Sequence, residues 1–131
     1  MKSLAKLKKI KGDASFRKFF RHKENNSILV FSKKQKLKNL LIYDAINKIL
    51  IKNKILAPNL YEENYHKNYI EIEDFGNETI FKRLNKNKNN RLSYFKKAVK
   101  LLNKIQLIKI KKIKNFKNND YKIPKYDKNI L

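Results

Sequence analysis

Gly12-Asp13-Ala14-Ser15-Phe16-Arg17-Lys18-Phe19-Phe20-Arg21-His22, followed by Lys23-Glu24-Asn25-Asn26-Ser27 and Ile28-Leu29-Val30-Phe31, decides how the chain folds. Residues 13–22 alternate at the period of a strand, with Ser15, Arg17, Phe19 and Arg21 on one face. Residues 23–27 have turn chemistry, since Asn and Ser bond their own backbone and Asn tolerates a left-handed conformation. Residues 28–31 form an apolar run of strand length. The pieces predict a β-hairpin with a glycine just before it. Only two glycines occur in 131 residues, so each marks a place where the backbone needs freedom or close approach. The small residues 12–15, with the Ser15 hydroxyl, suit a turn that lets backbone N–H groups reach a phosphate. Arg17 and Arg21 offer positive charge on the same strand face.

Outward from the hairpin, residues 37–54 carry a mostly apolar stripe at three- and four-residue spacing, which predicts a helix that ends before Pro58. Residues 60–65 and 68–75 predict a second hairpin around His66-Lys67. Asn77 is placed to cap a short helix through Phe81 and Leu84. Leu92, Phe95, Val99, Leu102, Ile105 and Ile108 predict a long amphipathic helix. Residues 115–123 have no regular pattern. The order hairpin, helix, hairpin, short helix, long helix belongs to an α+β layer of helix on sheet.

The net charge of +23 points first to a polyanion partner. The chain holds 30 Lys, 18 Asn and 16 Ile but four Arg, a bias that AT-rich coding produces. Nucleic-acid binders favour Arg for bidentate contacts, and the Lys are scattered rather than blocked. A nucleic-acid partner is therefore disfavoured. Six of the eleven acidic residues nevertheless lie between Glu62 and Glu78, a cluster that composition does not explain. No apolar stretch is long enough to span a bilayer, and no apolar run follows the basic N-terminus, so neither a membrane partner nor a secretory signal is expected. With no Cys there is no disulfide framework or thiolate chemistry, and the expected compartment is the cytoplasm.

Residues 12–21 resemble the opening motif of a bacterial branch of the aminoglycoside-phosphotransferase family. That branch includes kinases of the anomeric hydroxyl of N-acetylmuramate and N-acetylglucosamine. Ile70-Glu71-Ile72-Glu73-Asp74-Phe75-Gly76 resembles the family's Leu-Leu-Leu-Glu-Asp-Leu-Gly type segment, and Ala57-Pro58-Asn59-Leu60 resembles its x-Pro-x-Leu link. The resemblance implies a protein-kinase-like N-terminal lobe over residues 1–76, a twisted antiparallel sheet plus one helix. Residues 77–131, with Pro124-Lys125-Tyr126-Asp127 near the end, would begin a helical C-terminal lobe. It also implies ATP as cofactor, with Mg in the intact enzyme. Gly12, Asp13, Ala14 and Ser15 would cover the phosphates, Arg17 and Lys33 would neutralise charge, and Glu73, Asp74 and Phe75 would frame the adenine.

Some parts of that pattern are missing. Kinases of this fold pair a Lys on the third strand with a Glu on the first helix. Here Lys33 follows the apolar run, and the helix offers Asp44, read either as partner to Lys33 or as a solvated carboxylate. The family's His-x-Asp loop, with a downstream Asn and Asp for Mg²⁺, has no counterpart. His22 and His66 read as hairpin-surface residues, and no catalytic or metal residue is assigned. The expectation is an N-terminal fragment of an ATP-dependent amino-sugar or aminoglycoside-like phosphotransferase, inactive alone, with the sugar bound only by the intact protein. A whole enzyme would need roughly another 150–200 residues. The alternatives are a small basic RNA- or ribosome-associated protein, and a pseudokinase-like module that binds nucleotide without transfer.

Overall fold

The structure, a computed structural model, describes residues 7–11, 16–110 and 112–123. The chain divides into two compact units, Met1–Asp74 with Ile110–Leu131, and Phe75–Lys109. The first is α+β. Its sheet has five antiparallel strands in the order β1-β2-β3-β5-β4: β1 Leu7–Ile10, β2 Arg17–His22, β3 Ser27–Ser32, β4 Leu60–Asn64 and β5 Tyr69–Glu73. Helix α1, Lys38–Lys52, lies in sequence between β3 and β4.

The expected hairpin is β2–β3, six residues in each strand, with Asn26 at φ 46° closing the turn. Asn accepts this left-handed backbone because its short side chain bonds locally. Register places Phe19 opposite Val30, Arg21 opposite Ile28, and Arg17 opposite Ser32. These residues share the face that carries the core: Ile28, Val30, Ile70 and Ile72 meet Leu40 of α1, flanked by Ile10, Phe19, Leu37, Tyr43 and Leu60. Val30, Leu40 and Ile70 are fully buried. The second hairpin forms as expected, with a short 3₁₀ turn at Tyr65–Lys67 and Asn68 in the left-handed region. A register shift between Leu60 and Glu62 leaves Tyr61 exposed.

β1 was not visible in the sequence. Leu7-Lys8-Lys9-Ile10 gains its strand identity from pairing with β2, since two apolar residues among lysines carry no period of their own. Residues 110–123 are a second surprise. They contain a two-stranded hairpin, β6 Lys112–Lys114 and β7 Asp120–Lys122, and they belong with the sheet unit. Residues 77–131 are thus not one unit. Phe116 joins the apolar cluster, meets Tyr65 edge-on at 5.8 Å, and donates its N–H to Asp44 Oδ2 at 2.7 Å.

The second unit holds α2, Ile80–Lys86, and α3, Arg91–Gln106. Thr79, not Asn77, caps α2, its hydroxyl accepting the Lys82 N–H at 3.2 Å. Asn77 stands two residues too early, and its carbonyl accepts instead from the Lys82 ammonium. No residue of either helix is buried. Among the described residues, no helix is long and apolar enough to cross a membrane.

Candidate nucleotide-binding site

Gly12, Asp13, Ala14 and Ser15 lie outside the described residues, as do Pro124, Lys125, Tyr126 and Asp127. The remaining candidates fall at two ends of β2. At its start, Phe16 is exposed, with the Lys36 ammonium 4.9 Å from its ring centre. The Arg17 guanidinium lies 5.0 Å above the Tyr43 ring of α1, a cation–π contact that holds it on the helix side of the sheet. Burial raises the Tyr43 phenol above its usual value, opposed by a hydrogen bond with Asn47 and by the Arg17 charge.

At the far end of β2, Arg21 meets Asp74, the first residue beyond β5. The guanidinium donates through Nε to Oδ2 and through Nη2 to Oδ1, the latter at 2.9 Å. The side chains are only 19% and 10% exposed, so water screens the pair weakly. The backbone supports the same junction. Asp74 N–H donates to the Asn26 carbonyl at 3.3 Å, and Glu73 N–H to the Asn59 carbonyl at 2.9 Å. The Glu73 carboxylate accepts in return from Asn59 Nδ2 at 2.6 Å and Asn59 N–H at 3.2 Å. Gly76 then turns the chain at φ 79°, a conformation that strains any residue with a Cβ. Phe75 is about half exposed.

Lys33 does not share a face with Arg17. It follows β3 one residue out of phase with Ser32 and lines a cavity of about 270 Å³ with Leu7, Phe16, Lys18, Phe20, Phe31 and Ser32. Phe20, Phe31 and Tyr69 form an aromatic row on this opposite face, with centroids 5.5 and 5.1 Å apart. Nor does Lys33 pair with Asp44. The Asp44 carboxylate is buried, held by Lys48 at 2.8 Å one helical turn on and by the Phe116 N–H. Asp44 is thus neither a Lys33 partner nor solvated. Its role is to bind residues 110–123 to α1.

The acidic cluster resolves into internal partners. Glu62 accepts from Asn64, and Glu63 from Tyr65 N–H and Lys117. Glu71 accepts from Ser27 Oγ at 2.5 Å. Glu73 and Asp74 are held as above, and Glu78 pairs with Arg83 and Lys86. Backbone donation from Tyr65, more than the Lys117 charge, lowers the Glu63 carboxyl below its usual value.

Sequence reasoning overlooked the buried polar group of Ser27, Glu71 and His22 on the sheet face away from α1. The alternation of Ile70, Glu71 and Ile72 was the available signal, because it sets Glu71 opposite to the core. His22 is buried rather than a surface residue, and its Nδ1 has no hydrogen-bond partner among the described residues. His66 is exposed, as expected. Among the described residues, no group of three or more His, Cys, Asp or Glu is placed to hold a metal ion. In comparisons with known proteins, no family model, curated sequence or solved structure matches the chain.

Proposed function

We propose that this chain carries the nucleotide-binding part of an ATP-dependent small-molecule phosphotransferase of the aminoglycoside-phosphotransferase type. One observation carries the reading. The two segments that resemble the family's motifs flank a single strand: residues 12–15 precede β2, and Asp74 is tied to its far end through Arg21. Six residues at ~3.3 Å each span about 20 Å, the reach of an extended nucleoside triphosphate. In this arrangement Gly12, Asp13, Ala14 and Ser15 take the phosphates, and Arg17 on the helix side lends charge. The main chain from Glu73 to Phe75 takes the base. A five-stranded antiparallel sheet with its helix between the third and fourth strands is consistent with a kinase-like N-terminal lobe.

Two roles assigned from resemblance change. Lys33 lines the cavity on the face opposite to Arg17, so the charge it would lend approaches from the other side of the strand. The Glu73 and Asp74 carboxylates are engaged within the protein, so they frame the base only through their backbone. Phosphoryl transfer needs a carboxylate to orient the acceptor and ligands for Mg²⁺. The resemblance assigns these groups to the second lobe of the intact enzyme.

The experiment is a titration of ATP into the 131-residue chain, followed by calorimetry and thermal melting. The expected result is saturable binding, with stabilisation of about 2.7 kcal/mol at a hundredfold excess over Kd. A Gly12→Val chain should lose it, and no sugar should be phosphorylated. Absence of any ATP effect overturns the reading.

The aromatic row of Phe20, Phe31 and Tyr69, with Lys18 and Lys33 at the neighbouring cavity, favours one second reading. Stacking rings among lysines on a sheet face are the means by which single-stranded RNA is held. Binding of single-stranded RNA with a steep salt dependence, lost on Phe31→Ala and indifferent to ATP, would establish that reading instead.

A further inference from the structure

Arg21 and Asp74 are 53 residues apart in sequence, and their bidentate pair joins the two segments on which the nucleotide-binding reading rests. We infer that Arg21 is a positioning residue: its pair with Asp74 fixes the main chain that follows β5 against the β2 hairpin and so sets affinity for the base of the nucleotide, without Arg21 contacting phosphate. The inference deepens the nucleotide-binding reading and depends on it.

Position is the first argument. Arg21 is five residues along an extended strand from Phe16, so it stands at the end of β2 away from residues 12–15. Its guanidinium is already engaged by the Asp74 carboxylate through Nε and Nη2. Arg17, near the start of the strand, is the arginine suited to charge.

Geometry is the second. Two parallel N–H to oxygen bonds fix both the distance and the plane of the partners, which a lone ammonium cannot do. The strand end is pinned from two further sides, by Asn59 on Glu73 and by the Asn26 carbonyl on the Asp74 N–H. The chain then turns at Gly76, at φ 79°.

Charge is the third. A bare carboxylate at the edge of a nucleotide site repels a triphosphate, whereas a carboxylate paired with a guanidinium presents no net charge. The pair lets Asp74 serve as a tether without weakening ATP binding.

The test measures Kd for adenosine, AMP, ADP and ATP with the wild-type chain and with Arg21→Ala, Arg21→Lys, Asp74→Asn and the Arg21→Ala/Asp74→Asn double variant. Circular dichroism checks that each is folded, and the near-isosteric Asp74→Asn carries the test if the Arg21 variants are not. Positioning predicts that each single change weakens all four ligands by the same factor, about tenfold, and that the double change is no worse than either alone. Lys at 21 should fail as Ala does, because it keeps the charge but loses the fork. A loss that grows with the number of phosphates, full retention by Arg21→Lys, or no effect of Asp74→Asn would each overturn the inference while leaving nucleotide binding intact. A wild-type chain that binds none of the four overturns the nucleotide reading, and this inference with it.

Discussion

The sheet unit and the helical unit are built from similar amino acids but hold together differently. In the sheet unit, Val30, Leu40 and Ile70 come from distant parts of the chain and are sealed from water by one another. In the helical unit, Leu92, Phe95, Val99, Leu102 and Ile105 recur along α3, yet each is exposed, from 37% for Ile105 to 67% for Leu92. Periodicity makes a helix in both cases. Among the described residues, only in the sheet unit does a second layer meet the apolar stripe, and burial rather than periodicity supplies most of the stabilisation. With no buried residue in α2 or α3, the helical unit stands on local interactions. These include the Thr79 cap, the Glu78 pairs with Arg83 and Lys86, and the Arg91 Nε bond to the Leu84 carbonyl.

The largest test of this contrast substitutes one leucine in each unit. Leu40→Ala should cost about 3 kcal/mol of stability in urea unfolding, because it empties a fully buried site. Leu102→Ala should alter stability by no more than about 0.5 kcal/mol, because its side chain already faces water. Equal costs would mean that α3 is covered in solution.

Asp44→Ala should come next, at about 2 kcal/mol, since it leaves the Lys48 ammonium and the buried-side Phe116 N–H without their acceptor. Hydrogen exchange should speed up at Phe116 before it speeds up in β3. Thr79→Ala should cost about 1 kcal/mol or less, confined to α2. Amide exchange at Lys82 reads it, and the urea midpoint of the sheet unit should not move.

The smallest effect concerns Tyr43. Its phenol holds its proton to higher pH in the folded chain than in the unfolded one. Stability from this group is therefore complete below about pH 10 and declines as pH rises through the raised value. The signature is a decline in melting temperature at alkaline pH that Tyr43→Phe abolishes. Arg17→Ala should push the phenol higher still, as it removes a charge that favours the phenolate.

Local pattern explains what could be read ahead of the structure. The β2–β3 hairpin, α1, the β4–β5 hairpin and α3 each announce themselves within a few residues, through alternation, helical spacing or an Asn-rich turn. β1 and the 110–123 hairpin do not, because their strand identity comes from pairing partners and from Phe116 reaching the core. The candidate site was legible in the same measure. Arg17 and Arg21 were correctly placed on one face, and the need for a left-handed Gly76 was visible from its rarity. That Arg21 would meet Asp74 was not legible, since pairing across 53 residues depends on strand order. Asp44 was misread for the same reason: its acceptor duty is defined by a backbone N–H 72 residues away.

That separation has a consequence for how the protein is made. Because residues 110–123 complete the sheet unit, the helical unit is an insertion into it rather than an appendage after it. A ribosome adding about 5–20 residues per second makes Asp44 on the order of ten seconds before Phe116. Through that interval α1 carries a carboxylate destined for burial with one of its two partners still unsynthesised. The Asp44 side of α1 gains its Phe116 partner only after the whole of the helical unit has emerged. A chaperone holding the nascent chain should therefore find the Asp44 side of α1 accessible long after its last residue has been translated.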